Sequence, residues 1–270
     1  MPATVRAVLI VGGLTAALLL AASRREDAPA RAFAGSTLRV GVEWLPPPET
    51  PETRPYTEAG FELDLASELA QGVGAGLRLV RVAPESAARA LAEGEVDVVL
   101  ARLDRDDLRL PEARIVETGF RSGLSLAVRT DRPLSSWNEL RGKVVCVAAA
   151  NRHAHDLAER LGAKVKAQRA PALALMQVRT GTCDAALHDR ALLDPLFAKV
   201  SWQKFSATLP QVEQTRLVAA VAPGAPALAR AIAEVLASGA SAERWRQRGE
   251  QWASTVAFEV YRDQDAPDCH

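Results

Sequence analysis

The segments GFELDLA at residues 60–66 and GEVDVV at residues 94–99 decide how this chain folds. The first opens a stretch whose apolar residues recur at helical spacing, beginning with Phe61 and Leu65. The second continues as an almost wholly apolar strand, which is typical of strands covered on both faces. A helix followed by such a strand predicts a βαβ unit, in which helices cover a parallel sheet.

The same alternation extends in both directions from these segments. A strand at 38–42 and a proline-rich loop at 44–56 precede the first helix. Further strands are predicted at 77–82, 96–100, 123–129, 143–148, 164–168, 184–188 and 217–221. Further helices are predicted at 86–93, 136–142, 152–161, 172–180, 226–237 and 241–252. The pattern predicts an α/β fold of two similar units, each a parallel-rich sheet flanked by helices.

The N-terminal residues have the pattern of a targeting signal. Residues 7–22 are apolar and follow Arg6, and they are fewer than the roughly 20 residues that span a bilayer. We predict a signal peptide over residues 1–34, with an uncleaved N-terminal anchor as the alternative because Arg24 and Arg25 follow the apolar run. Export would place the chain where disulfides are chemically permitted.

The composition argues against several classes of function. The 270 residues carry 33 basic and 33 acidic side chains, so the formal charge is zero. Proteins that bind nucleic acid or anionic membranes need an excess of Lys and Arg, which this chain lacks. No glycine-rich phosphate loop follows either first strand, and no nucleophile elbow or zinc-protease motif is present in the sequence.

The histidines and cysteines are too sparse to predict a metal site. His153 and His155 are two residues apart and therefore lie on different faces of a helix, with Cys183 as the nearest further ligand. We predict neither a metal nor another cofactor. Three cysteines, Cys146, Cys183 and Cys269, allow one disulfide and one spare thiol, and their number leaves the pairing open.

Four segments together resemble a known family. They are GFELDLA at 60–66, GEVDVV at 94–99, WNELRGKVVCV at 137–147 and GTCDAALHD at 181–189. They are similar to the bacterial extracellular solute-binding proteins of family 3, the polar amino-acid branch of the type II periplasmic binding proteins. The resemblance extends over residues 37–252 and implies a two-lobed α/β fold whose lobes are joined by two crossing strands.

The resemblance also implies the domain boundaries. Lobe one would comprise residues 36–126 and 220–255, and lobe two residues 127–219. The crossing strands would be the predicted strands that begin at Leu124 and Leu217. The polar residues 256–270 would form a loose C-terminal tail.

The function implied by the resemblance is capture of a small polar ligand, an amino acid or small organic acid, between the lobes. The protein would be a periplasmic monomer that closes around its ligand by a hinge motion and delivers it to an inner-membrane ABC permease. It would not be an enzyme. Two alternatives stay open: an enzyme on the same fold, similar to cyclohexadienyl dehydratase, or a periplasmic sensor or accessory binding protein.

Two residues match the family's ligand anchors. Arg109 corresponds to an arginine that clamps the ligand's carboxylate by two parallel hydrogen bonds, although it also fits a solvated loop arginine. Asp189 corresponds to the aspartate that accepts bonds from the ligand's ammonium group, although it also fits an N-cap for the segment beginning at Arg190.

Other positions depart from the family pattern. Asn151 and Arg152 replace the hydroxyl residues at the start of a helix that holds the ligand's carboxylate, while the free N–H groups of that helix remain. Trp44 is placed to supply the aromatic contact, and Glu43 keeps an acidic residue found in binders of basic amino acids. Arg102 and Asp104 replace a serine-rich stretch. With Arg109, Arg102 and Arg152 favour an acidic ligand.

Cys146 and Cys183 match positions that are both cysteine in some general amino-acid binders. The resemblance therefore implies a disulfide inside lobe two. One is mid-strand and the other precedes a neighbouring strand, so their Cα atoms must come within the roughly 7 Å that a disulfide tolerates.

Overall fold

The computed structural model describes residues 33–47, 54–206, 209–239 and 242–263. Most of the predicted signal peptide or anchor, residues 1–32, lies outside these ranges. The strands are β1 (Thr37–Val42), β2 (Gly76–Arg81), β3 (Val98–Leu103), β4 (Arg114–Arg129), β5 (Val144–Ala148), β6 (Lys164–Gln168), β7 (Ala185–Asp189), β8 (Phe205–Ser206) and β9 (Val212–Val221). The helices are α1 (Glu62–Gly72), α2 (Ala87–Ala92), α3 (Arg152–Arg160), α4 (Pro171–Arg179), α5 (Arg190–Phe197), α6 (Pro226–Gly239) and α7 (Ala242–Arg262). Within the described ranges, no helix combines the length and the apolar composition needed to cross a membrane.

One curled sheet runs through the molecule in the order β2-β1-β3-β9-β4-β7-β5-β6, with β8 paired to β4. At one end β2, β1 and β3 are parallel, and at the other end β6, β5 and β7 are parallel. The long strands β4 and β9 lie antiparallel between the two parallel sets. We call the two parallel sets, with their helices, the first unit and the second unit.

The two central strands pass from one unit to the other. β4 pairs with β9 from Arg114 to Glu117 and with β7 from Leu124 to Ala127. Between these stretches the register of β4 against β9 shifts twice. Both strands begin earlier in the chain than predicted. Their first halves mix exposed polar residues with single buried ones, so no apolar run marks them in the sequence.

Buried apolar faces hold the helices to the sheet. Helix α1 buries Leu65 and Leu69 almost completely against the first unit. The second unit has a core of its own, in which Leu157 of α3 packs with Val145 and Val147 of β5. Each fully buried Leu or Val contributes on the order of 2 kcal/mol to folding.

The C-terminal helix α7 extends further than predicted. It continues to Arg262, so the loose tail predicted from residue 256 is wrong for this part of it. Val256 and Val260 extend the apolar stripe of the helix and are buried, and the Glu259 carboxylate accepts bonds from the backbone N–H and hydroxyl of Thr57. The remaining C-terminal residues lie outside the described ranges.

Helix α7 contacts both units. Its Trp245 ring lies 5.5 Å from Phe61 and 5.2 Å from Phe120, both in the first unit. Its other faces pack on α4 and α5 of the second unit, where the Trp252 ring lies 5.1 Å from His188. The helix therefore contacts both units and links them.

Cys146 of β5 and Cys183, just before β7, form a disulfide. Because β5 and β7 are parallel neighbours, the two Cα atoms lie 5.9 Å apart, inside the range that a disulfide tolerates. Both cysteines are buried, so the bond belongs to the core of the second unit.

Candidate functional site

A cleft of about 270 Å³ lies between the two units, where the carboxyl ends of β1, β3 and β7 meet the start of α3. Open α/β sheets bind their ligands at this edge, because helix N-termini and strand ends direct polar groups there. The first unit contributes Val42, Glu43, Trp44, Glu58, Ala59, Gly60, Glu62, Leu63, Pro84, Glu85, Leu100, Arg102 and Arg109. The second unit contributes Ala150, Asn151, Arg152, His153, Asp156 and Asp189.

The structure brings seven of the eight predicted ligand residues to this cleft, namely Glu43, Trp44, Arg102, Arg109, Asn151, Arg152 and Asp189. Asp104 is the exception. It lies in the exposed loop after β3, where its carboxylate accepts the backbone N–H of Asp106.

Arg102 and Asp189 form a buried ion pair across the cleft. Arg102 projects from β3 and donates from Nη1 to the Asp189 carboxylate at 2.8 Å and from Nε to Glu62 at 2.7 Å. Only 3% of the Asp189 side chain and 19% of the Arg102 side chain are exposed. Burial lowers the pKa of Arg102, but Asp189 and Glu62 outweigh it, so the pKa is raised and the guanidinium stays charged.

Asp189 occupies the N-cap position of α5 but makes no capping hydrogen bond with its side chain. Asp189 therefore takes the predicted alternative position of a helix N-cap, but its side chain does not cap the helix. Its carboxylate instead points into the cleft, as a ligand anchor would, and meets Arg102.

Arg109 lines the cleft with its charge already paired. Its Nε donates to the Asp107 carboxylate at 2.8 Å, and its Nη2 donates to the backbone carbonyl of Arg102 at 2.9 Å. Burial raises the pKa of Asp107, but the bonds from Arg109 outweigh it and lower the pKa below its usual range. The guanidinium is 45% exposed, so it stays accessible from the cleft.

The start of α3 forms the opposite wall. The Asn151 side chain caps this helix by accepting the backbone N–H of Ala154 at 3.1 Å. Arg152 lies 3.3 Å from the Glu43 carboxylate of the first unit, which makes a second ion pair between the units. Burial raises the pKa of Glu43, with Arg152 and Arg109 opposing the shift.

Carboxylates dominate the charge of the cleft. Six acidic side chains line it: Glu43, Glu58, Glu62, Glu85, Asp156 and Asp189. Three arginines line it, and each already has an acidic partner within the chain. This arrangement does not favour the acidic ligand that Arg102, Arg109 and Arg152 suggested in the sequence.

Sequence reasoning missed four of these acidic residues. Glu62 stands within the segment at 60–66, whose pattern predicts only a helix. Glu58 ends the proline-rich loop, Glu85 follows β2, and Asp156 lies one turn into α3. No motif singles them out, because their proximity depends on how the two units face each other.

Glu58 is a cleft carboxyl whose pKa is strongly raised. Burial, together with the nearby Asp64 and Glu62, raises its pKa to about 7. Its carboxylate accepts no hydrogen bond from any residue in the described ranges. Its backbone carbonyl accepts the indole N–H of Trp252 at 2.8 Å, which fixes the position of this residue at the cleft wall.

We expect Glu58 to make the protein less stable as the pH rises. A carboxyl whose folded pKa exceeds its ordinary value of 4.5 adds stability that is complete below pH 4.5 and is lost as the pH rises through about 7. Because the group is only partly buried, the loss is about 1 to 2 kcal/mol. Urea unfolding of the protein and of Glu58→Gln at pH 5 and pH 8 measures it. Equal changes with pH in both proteins would contradict the assignment.

Among the described residues, one group of side chains could hold a metal, and it shares Asp156 with the cleft. Cys183 is used in the disulfide, and His188 is buried and kept neutral, because burial lowers its pKa. His155, Asp156 and Glu159 bring their ligand atoms within 4.8 Å of one another on the exposed surface of α3. Exposed acidic groups are common without an ion, so this cluster is not assigned as a metal site.

Residues 38–255 match the model of the protein family described as bacterial extracellular solute-binding proteins, family 3. Among proteins with curated descriptions, none matches the sequence of this chain.

Several solved structures share the fold. The ligand-binding core of GluR0 in complex with L-glutamate is 22% identical, with a TM-score of 0.56, and the match covers 83% of this chain and 99% of that one. A mutant of the arginine-binding protein of T. maritima is 22% identical, with a TM-score of 0.54, covering 81% and 96%. An ancestral amino-acid-binding protein, described as a precursor of cyclohexadienyl dehydratase, is 22% identical, with a TM-score of 0.53, covering 80% and 95%. These likenesses concern the fold and confirm the predicted two-lobed α/β architecture.

Proposed function

Because the chain belongs to the bacterial extracellular solute-binding proteins of family 3, we propose that it captures a small cationic ligand, an amino acid with a basic side chain, between its two units. The protein would work in the periplasm as a monomer and pass its ligand to an inner-membrane ABC permease. The single observation that carries this proposal is the charge of the cleft: its three arginines are paired, while Glu58, Glu85 and Asp156 line it without an ion pair to any described residue.

A cationic ligand relieves the repulsion among these carboxylates. Burial is the main cause of the raised pKa of Glu58, and the nearby Asp64 and Glu62 raise it further, in keeping with crowded negative charge at this wall. Like charges in a partly buried site cost free energy, and a bound cation offsets that cost. A ligand with net negative charge would add to it.

The remaining groups suit an amino acid rather than a simple amine. The N-terminus of α3 offers free backbone N–H groups for the ligand's carboxylate, and Arg109 lies on the opposite wall with an exposed guanidinium. Trp44 lines the cleft and presents an aromatic ring to a cationic head group. A basic amino acid has one carboxylate and two cationic groups, so its net positive charge complements the acidic cleft.

The similar solved structures support amino-acid binding but not one ligand. They include an arginine-bound form of the T. maritima protein and the GluR0 core with L-glutamate. One fold therefore accommodates basic and acidic amino acids. The choice between them for this chain rests on its own cleft, which is acidic.

We expect L-arginine, L-lysine or L-ornithine to stabilise the protein and L-glutamate or L-aspartate to leave it unchanged. A ligand at 100 times its Kd adds about 2.7 kcal/mol to the free energy of unfolding. For a chain of this size that raises Tm by about 5 to 10 °C. A thermal-shift panel of the full chain with each amino acid measures the effect. Stabilisation by the acidic amino acids alone would contradict the proposal.

One observation favours the enzyme alternative. Glu58, with its pKa of about 7 and its carboxylate without a hydrogen bond from the described residues, has the properties of a general acid. Incubation with prephenate or arogenate, followed by detection of the aromatic product, tests this alternative. Turnover that disappears in Glu58→Gln would establish it, and absence of turnover leaves the binding function.

A further inference from the structure

The cation site of the cleft is already filled by the chain itself. We propose that Arg102 is a tethered competitor: its guanidinium fills a cation site made by Glu62, Asp189 and the Phe120 ring, and a ligand's cationic group binds there only by displacing it. This inference rests on the proposed function, because it names the subsite that receives the ligand's cation.

The subsite has the composition of a built guanidinium site. Two carboxylates accept from different edges of the Arg102 guanidinium, Glu62 from Nε at 2.7 Å and Asp189 from Nη1 at 2.8 Å. The Phe120 ring centroid lies 5.3 Å from the central carbon of the guanidinium, within the range of a cation–π contact. Planar, two-sided contact of this kind recognises guanidinium groups in general, whether or not they are tethered.

The surrounding backbone fits closely around this group. A Cβ atom added at Gly60 would collide with the Glu62 carboxylate and lie 3.0 Å from Nη2 of Arg102, so the glycine leaves room for this ion pair. Asp189 comes from the second unit, whereas Glu62, Phe120 and Gly60 lie on the first-unit side. The subsite is therefore complete only when the two units are together.

Competition follows from the position of Asp189. Its side chain is 3% exposed and lies against Arg102 and His188, so a ligand cannot reach it while Arg102 holds it. The apparent Kd of a ligand equals its intrinsic Kd divided by the fraction of molecules in which Arg102 has left the subsite. Arg102 thus sets the affinity and screens out ligands that cannot supply a cation of their own.

The first test compares Arg102→Ala with Arg89→Ala by calorimetric titration of L-arginine. Arg89 is an exposed arginine of α2 that does not line the cleft, so its removal makes the same charge change without touching the subsite. We expect Arg102→Ala to bind L-arginine at least about tenfold more tightly than the wild type, which corresponds to nine-tenths occupancy by Arg102. Arg89→Ala should bind as the wild type does.

The outcomes separate this inference from the proposed function. Equal affinity of the wild type and Arg102→Ala for L-arginine would contradict the role of Arg102 as a competitor and would leave the proposed function unaffected. Weaker binding by Arg102→Ala would also contradict that role, because Arg102 would then assist the ligand. Binding by neither protein would contradict the proposed function. Binding by Arg102→Ala alone would support a competitor that dominates the wild-type cleft.

A second measurement needs no amino-acid ligand. We expect guanidinium chloride at about 10 mM, far below denaturing concentrations, to raise the Tm of Arg102→Ala and not that of the wild type or Arg89→Ala. If Arg102→Ala does not fold, Arg102→Lys replaces it, since an ammonium makes a single-point contact and competes less well. Arg102→Lys with unchanged or weaker affinity for L-arginine would then overturn the proposal.

Discussion

Removing the disulfide between Cys146 and Cys183 is expected to lower the free energy of unfolding by about 4 kcal/mol. The bond joins residues separated by 37 positions, and the loop entropy that it removes from the unfolded chain corresponds to about this value. It links β5 to the start of β7, the strand whose last residue is Asp189. The loss should therefore lower Tm by about 8 to 16 °C for a chain of this size.

The measurement is chemical unfolding of the double variant Cys146→Ala/Cys183→Ala, alongside the wild type with and without reductant. Cys269→Ala is the matched control, because it removes a cysteine and leaves the pair intact. The double variant and the reduced wild type should unfold at similarly low denaturant concentrations, and the control at the wild-type concentration. A double variant as stable as the wild type would show that the bond contributes no stability.

Replacing either Arg102 or Asp189 alone is expected to lower the free energy of unfolding by about 2 to 3 kcal/mol, because it breaks their ion pair. Removing one member of a largely buried pair leaves the other charged in a site with little water, and this penalty exceeds the value of an exposed pair. Glu62 keeps one bond to Arg102, which moderates the loss in Asp189→Asn. The double variant Arg102→Leu/Asp189→Asn should lose less than the sum of the single variants.

A double-mutant cycle measures this coupling from four unfolding free energies. The ion pair of Glu43 and Arg152 is a suitable control, since it also spans the two units but its side chains are 38% and 60% exposed. We expect its coupling to stay below about 1 kcal/mol, as for other exposed pairs. Equal coupling energies in the two cycles would contradict the buried character assigned to the first pair.

Much of the fold could be predicted from the order of helices and strands. The helical spacing from Phe61 and the apolar run into Leu100 place α1 and β3 correctly, and the remaining strands of both units follow the same alternation. The start of β4 could not be predicted in this way. Its residues 114–122 alternate buried and exposed positions with several charged groups, so no apolar run marks them.

The C-terminal helix shows why polar composition was misleading. Residues 256–262 contain charged and aromatic side chains, which suggested a loose tail. Val256 and Val260 nevertheless continue the apolar face of Trp252 at steps of four, and Glu259 finds its partners in the loop at Thr57. Three apolar residues on one face are enough to hold the last turns of the helix against the core, because its other faces are exposed to water.

Most residues that line the cleft could be predicted from the sequence, but the pairing of their charges could not. Strand ends and the family resemblance brought seven of eight residues to the cleft. The partner of Arg102 is Asp189, 87 positions away in the other unit, and no local pattern reveals such a pair. The sequence therefore identified charged groups in the cleft but not that the arginines are neutralised and the carboxylates prevail.

The most direct test of an acidic cleft for a basic amino acid is calorimetric titration of the full chain with L-arginine and, separately, with L-glutamate. The charge of the cleft predicts one molecule of L-arginine bound per chain, at least about tenfold more tightly than L-glutamate, and more weakly as salt is added. Tighter binding of L-glutamate than of L-arginine would contradict it.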